Sequence, residues 1–233
     1  MRRPIVAIDG PAGAGKSTVA RLVAERLGYL LLDTGALYRT VALAAQRAGI
    51  SWGDDAGVTA LAEALTRDGA VRLERAADGT LRTLLRGEDV SAQIRTQELG
   101  QGASRVSAIP GVRQALLALQ RSAASENGVV LEGRDIGTVV FPDAEAKFFL
   151  TASVEVRARR RFDELRSRGE APDLERVHDE VVERDHRDST RPIAPLRKAP
   201  DAVLIDSSLL PVEVVVERIV ERVRALEREL ERP

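Results

Sequence analysis

The sequence predicts a three-layer α/β fold: a five-stranded parallel sheet with helices on both faces. Three observations carry that prediction. Five short apolar runs end at turn or acidic residues, longer helical patterns alternate with them, and the first run leads into a glycine-rich word, GPAGAGKS at Gly10–Ser17. Runs too short for a helix read as strands buried on both faces, and strands alternating with helices predict a parallel sheet.

The first run, Ile5–Asp9, enters the Gly10–Ser17 word and a helical pattern, Lys16–Leu27, leaves it. The word matches G-x-x-x-x-G-K-[ST] in the strand-to-helix setting that this phosphate-cradling pattern requires. Its glycines let successive backbone N–H groups point inward at phosphate oxygens, Lys16 adds a point charge, and the Ser17 hydroxyl is placed to hold Mg²⁺. The helix aims the positive end of its dipole at the same anion. A purine nucleoside triphosphate is therefore the leading ligand. What is done with it the loop does not say.

The next run, Tyr29–Asp33, is followed by a helical pattern over Gly35–Arg47. From Val71 to Val90 the alternation breaks: VRLERAADGTLRTLLRGEDV has two strand-like halves around Asp78-Gly79, a dipeptide suited to a hairpin turn, and reads as a small antiparallel insertion. Helix over Pro110–Ala124 then precedes strands at Val129–Glu132 and Ala146–Leu150, and helix over Val154–Arg168 follows. The stretch Arg157–Arg191 is polar and rich in arginine. Charge alternation makes most of it a solvated helical face; the functional alternative is a flap that carries arginines onto phosphates. A last strand, Ala202–Asp206, and a last helix, Pro211–Glu231, complete the order. Ligands are expected at the carboxyl edge of such a sheet, where the Gly10 loop sits.

Composition narrows the function classes. A chain of 233 residues, 44% hydrophobic, suits one core domain with appendages. Net charge is −1, from 35 basic and 36 acidic residues, which leaves no global field to recruit nucleic acid or an anionic membrane. Only Lys16, Lys147 and Lys198 among the basic residues are lysine, so a lone arginine carries little functional weight. Absence of cysteine excludes disulfides and thiolate metal sites. His178 and His186 lack the spacing of metal ligands. No leader-like apolar segment and no membrane-length span are present, so a soluble cytoplasmic protein is expected. Nothing resembles a coiled-coil seam, and a monomer is the default.

Transfer of a phosphoryl group between nucleotides brings two anions together. Two unit charges about 4 Å apart repel by roughly 4 kcal/mol at an effective dielectric of 20. A catalyst thus needs several cations beside its metal, and it must exclude water, a competing acceptor. A phosphate loop, arginines from separated segments and a closing flap are all candidates in this chain.

Four further words, DTGALYR at Asp33–Arg39, ASRVSAIPGVR at Ala103–Arg113, EGRDIGTVVFPDA at Glu132–Ala144 and ERDHRDSTRPIAPL at Glu183–Leu196, carry a resemblance. With the loop before them and in this order, the chain resembles the bacterial cytidylate kinases of the nucleoside monophosphate kinase superfamily over nearly its whole length. The resemblance implies a P-loop three-layer fold with a short helical lid, and transfer of the γ-phosphoryl of ATP to CMP or dCMP with Mg²⁺. It also implies a single domain over 1–233: core at 1–33, 108–156 and 196–233, a monophosphate-binding region at 34–107, and a lid at 157–195.

By the same resemblance Thr34, Arg39 and Arg134 hold the acceptor phosphate, and Thr34 stands where a serine is more usual. Tyr38 lines the same cleft or is a half-buried tyrosine. Ser104, Arg113 and Asp135 read cytosine: a carboxylate accepts from its exocyclic amine, whereas uracil presents a carbonyl there. A metal role for Asp135 through ordered water is the secondary reading. Arg184, Asp188 and Arg191 contact ribose or phosphates; if helix runs through both, Arg184 and Arg191 share a face, and Pro192 ends that helix. Arg157 and Arg161, at i and i+4, are expected to share a face toward the triphosphate, beside Gly10, Pro11, Ala12, Gly13, Ala14, Gly15, Lys16, Ser17 and Thr18. Lys16, Arg134, Arg184 and Arg191 form the catalytic set, offsetting charge during direct in-line transfer.

Rival readings are a kinase for another small acceptor (AMP, UMP or shikimate), a GTP-dependent switch and a nucleic-acid-stimulated ATPase. The switch class uses an N-K-x-D word, and the single asparagine, Asn127, is followed by Gly128. Near-neutral charge and 3% aromatic residues argue against a stacking groove or basic track.

Overall fold

The computed structural model describes residues 3–75, 81–123 and 128–231. Its main sheet has five strands in the order β2-β6-β1-β7-β8. These are β1 (Ile5–Asp9), β2 (Leu30–Asp33), β6 (Val129–Gly133), β7 (Ala146–Thr151) and β8 (Val203–Asp206). The chain divides into two compact units, Met1–Tyr29 with Gly128–Pro233, and Leu30–Asn127.

In the first unit β1 runs parallel to β6, with Ile5 opposite Val129 and Asp9 opposite Gly133, and parallel to β7, with Val6 opposite Ala146. The fourth strand, β8, extends β7 in parallel, Phe148 facing Val203. Val6, Ala7, Ile8, Val129, Val130 and Leu131 are fully buried, which is why these runs show no alternation of polar and apolar residues. Helix α1 (Lys16–Leu27) packs with α8 (Val212–Leu230), and the two contact β1, β6 and β7. The paired helices α6 (Val154–Ser167) and α7 (Leu174–Thr190) close a small apolar cluster of Ala158, Leu165, Val177 and Val181. Ser153 and Asp173 cap their first turns by accepting from Val156 N and Arg176 N.

The second unit holds α2 (Thr34–Arg47), α3 (Asp55–Arg67), α4 (Gln97–Val106) and α5 (Pro110–Ala123) around an apolar core of Leu37, Val41, Val58, Leu65, Leu99, Val112 and Leu116. Asp33, Asp54 and Thr96 cap α2, α3 and α4. The predicted insertion is a three-stranded antiparallel sheet of β3 (Val71–Arg75), β4 (Leu81–Leu85) and β5 (Glu88–Asp89), with Val71 opposite Leu85. The Asp78-Gly79 turn lies outside the described residues. Neither β5 nor the helices α3 and α4 is marked by a strong sequence signal.

Two local departures bear on function. Helix α7 stops at Thr190, so Arg184 and Arg191 do not share a helical face: Arg191 is extended, φ −58° and ψ 141°, because the ring of Pro192 disfavours helical backbone before it. After β6 the chain makes one wide turn, Ile136–Val140, in which Val140 N and Phe141 N donate to the carbonyls of Asp135 and Ile136 at 3.2 and 2.7 Å. Such turns concentrate at functional sites.

Candidate active site

The phosphate loop is shaped by what lies beneath it. A Cβ at Gly10 would fall 1.9 Å from the Leu150 carbonyl oxygen of β7, at a φ of +150° that only glycine adopts readily, so no side chain is tolerated where the loop leaves the sheet. Gly15 caps α1 in the left-handed region, φ 89°, without a side-chain cap, and the first turn carries no acidic residue. The helix therefore presents unfilled N–H groups and an uncompensated dipole to an anion.

Lys16 is 6% exposed, and its ammonium bridges the loop by donating to Pro11 O at 2.7 Å. Burial first, then Arg134 and Arg184, push its pKa well below the usual lysine value, against the opposite pull of Glu132 and Asp9. Three cations thus converge where the loop opens, an arrangement that an anionic ligand relieves. Arg134 donates from Nε to Asp188 at 2.9 Å, and Arg184 lies 4.0 Å from the same carboxylate. Burial raises the Asp188 pKa, yet the Arg134 and Arg184 charges outweigh it and hold the carboxyl below its ordinary range. Arg191 donates to Ala194 O at 2.6 Å and lies 3.5 Å from Asp135. Five predicted arginine and aspartate positions on the first unit, Arg134 and Asp135 just after β6 and Arg184, Asp188 and Arg191 on α7 and at its end, are therefore paired.

Ser17 donates its hydroxyl to Glu132 Oε2 at 2.9 Å, and Thr18 is exposed one residue along α1. The pair Ser17 and Glu132 offers hard oxygen donors beside the loop, which suits Mg²⁺. Among the described residues no group of three or more His, Cys, Asp or Glu side chains is disposed to hold a metal.

The two lid arginines expected at the triphosphate divide differently. Arg157 is buried and committed to the protein: Nε donates to Ala152 O at 2.9 Å, Nη1 to Ala12 O at 3.2 Å, and Nη2 meets Asp185 at 2.6 Å. Arg161 pairs with Glu164 at 2.8 Å. Its neighbour Arg160 instead reaches the loop, donating to Ala14 O at 3.4 Å and to the Ser207 carbonyl at 2.7 Å, while the Ser207 hydroxyl also donates to Ala14 O. The i+3 position from Arg157, not i+4, faces the loop.

In the second unit Asp33 caps α2 through Ala36 N and binds Arg39 at 3.0 Å. Burial works against ionisation of Asp33, but Arg39 and Arg95 bring its pKa below the usual value. Thr34, next in α2, is buried. Tyr38 is 7% exposed within the apolar core, so it is a core tyrosine with a polar end: the Arg113 guanidinium stands 5.5 Å from its ring centre and Gln120 donates to its hydroxyl. Arg113 also donates to Ser107 O at 3.2 Å, and the Ser107 hydroxyl donates to Ser104 O, which brings Ser104 and Arg113 into one cluster at the α4–α5 corner. Asp9, Glu132, Arg160 and Asp185 in the first unit, and Asp33 and Arg95 in the second, were not singled out from the sequence. Glu132 and Asp9 do carry a visible signal, an acid at the carboxyl end of a buried strand.

A model of the family described as cytidylate kinase matches residues 6–225. A cytidylate kinase of Citrifermentans bemidjiense is 56% identical over 91% of this chain and 89% of its own length. One from Pelotomaculum thermopropionicum is 54% identical over 97% of this chain and 98% of its own, and one from Pseudomonas syringae pv. tomato 47% identical over 96% of each. A solved structure, an uncharacterized protein from Eubacterium ventriosum, shares the fold with a TM-score of 0.51 at 13% identity, over 95% of this chain and 99% of that one.

Proposed function

The chain belongs to the cytidylate kinase family, and from that membership we propose which residues perform each part of its reaction. It is an ATP-dependent phosphotransferase that moves the γ-phosphoryl group of ATP to CMP or dCMP, releasing ADP and CDP or dCDP. The observation that carries the assignment of roles is the convergence of Lys16, Arg134 and Arg184, where burial first and the two arginines after it lower the Lys16 pKa.

The loop N–H groups, the α1 dipole and Lys16 hold the β- and γ-phosphates of ATP. Ser17, with Glu132 beside it, would hold Mg²⁺, which supplies charge neutralisation on the donor phosphates when bound. Arg134, Arg184 and Arg191 offset the charge that spreads over the transferring group, and Asp188 keeps Arg134 aimed until substrate arrives. The acceptor phosphate is already an anion and attacks in line, so no strong general base is required.

Thr34, Arg39 and Arg134 are assigned to the CMP phosphate, and Ser104, Arg113 and Asp135 to the cytosine edge. Arg184, Asp188 and Arg191 are assigned to ribose and phosphate. Arg157 and Arg160 brace the loop carbonyls of Ala12 and Ala14, which leaves the loop N–H groups to the triphosphate; Arg161 is given a place on the rim. The protein is proposed to act as a cytoplasmic monomer on these two small substrates, without nucleic acid. Among the described residues no helix is long and apolar enough to cross a membrane.

Lys16→Ala tests the division of roles. Turnover is expected to fall by about 10²–10³, the loss typical of one aimed cation or donor, with CMP binding retained. Loss of CMP binding by a folded variant contradicts it.

A further inference from the structure

Asp9 belongs to no role assigned above, yet it is the carboxylate most deeply set into the sheet. It ends β1, is 4% exposed, and the loop begins at the next residue. Its oxygens do not serve the loop. Oδ1 accepts from Ile136 N and Oδ2 from Gly137 N, both at 2.8 Å. These are the first two amides of the wide turn that follows Arg134 and Asp135, a turn with no side-chain cap of its own.

The β1–β6 register explains the reach: Asp9 stands opposite Gly133, two residues before Asp135. Only an ionised carboxylate offers two acceptors to two adjacent donors with no competing donor. Burial pushes the Asp9 pKa up to about 6, with Asp135 adding to the rise and the two amides and Lys16 opposing it. The fold thus keeps a costly charge at this point. The donor loop has separate braces, Lys16 on Pro11 O, Arg157 on Ala12 O, and Arg160 with Ser207 on Ala14 O.

We infer that Asp9 is a positioning residue for acceptor selection: its two-pronged hold on Ile136 and Gly137 fixes the turn that sets the direction of Asp135, while the carbonyls of the donor loop hang on other side chains. The inference rests on the assignment of Asp135 to the cytosine amine.

The test is Asp9→Asn, which keeps size but replaces one acceptor by an amide NH₂ donor facing a backbone N–H. Steady-state kinetics with CMP and UMP as acceptors, and separately with ATP varied, give the readout. Losing one buried bond and opposing two donors predicts about a tenfold rise in KM for CMP and about a tenfold drop in the CMP-to-UMP ratio of kcat/KM, with KM for ATP changed less than about twofold. An unchanged ratio, or a KM for ATP that rises in parallel, overturns the inference. Circular dichroism checks the fold, and Asp9→Ser, which keeps one acceptor, serves the same comparison should the asparagine variant not fold. Asp135→Asn is measured beside it. If Asp135→Asn shifts the ratio and Asp9→Asn does not, the positioning role alone fails; if Asp135→Asn leaves the ratio unchanged, the base-reading assignment fails and this inference with it.

Discussion

Replacing Arg157 by alanine separates a strut from a ligand. The guanidinium holds three groups at once, Ala152 O, Ala12 O and Asp185, and the second oxygen of Asp185, Oδ1, is buried with no hydrogen-bond partner among the described residues. Truncation therefore strands a carboxylate that has no second anchor. Removing one partner of a buried ion pair costs about 3–5 kcal/mol. The Asp185 side chain is 24% exposed, which places the loss at the lower end, about 3 kcal/mol. For a chain of this size each kcal/mol moves Tm by roughly 2–4 °C, so a fall of roughly 6–12 °C is expected. Calorimetry of wild type, Arg157→Ala, Asp185→Ala and the double variant gives the coupling, expected at about 1 kcal/mol or more. A Tm within about 2 °C of wild type together with a large rise in KM for ATP would refute the strut and return Arg157 to the triphosphate.

Other outcomes follow from the same geometry. Glu132→Gln keeps the hydrogen bond to Ser17 but removes a charge beside the proposed metal oxygen; the Mg²⁺ concentration for half-maximal rate should rise several-fold, and an unchanged Mg²⁺ curve rules out that role. Asp9 has a folded pKa raised above its unfolded value, so the folded state binds the extra proton and the contribution of this group to stability grows as pH falls through about 6 towards 3.8. Relative to Asp9→Asn, wild type should gain about 1.4 kcal/mol between pH 7 and pH 5 in urea unfolding, and a flat difference would contradict the buried charge. Light scattering should return the mass of one 25.3 kDa chain; a dimer would overturn the monomer assignment.

Much of the first unit was legible because its signals are local. The Ile5–Asp9 run, the Gly10–Ser17 word and the helix from Lys16 specify one another within a few residues, and all three stand within the predicted bounds. Helix α4 was not legible: QELGQGASRV contains two glycines and is helical because tertiary packing overrides propensity, with Gly102 so close to Trp52 that a Cβ would fall 2.7 Å from its ring. Helix α3 hides its buried stripe of Val58, Ala62 and Leu65 among other alanines. At the site, residue types were legible and pairings were not. Arg134 and Asp188 are 54 residues apart, and no spacing rule announces that one holds the other. Arg160 and Arg161 differ by one helical position, about 100° of rotation, which decides between the loop and Glu164.

The central claim, that this chain phosphorylates cytidine monophosphates, is tested most directly by one panel. Purified protein with ATP and Mg²⁺ is offered CMP, dCMP, UMP and AMP in turn, and ADP release is measured as kcat/KM. CMP or dCMP should be the fastest acceptor, with UMP and AMP well behind. Release with UMP or AMP far faster than with both CMP and dCMP would contradict the account.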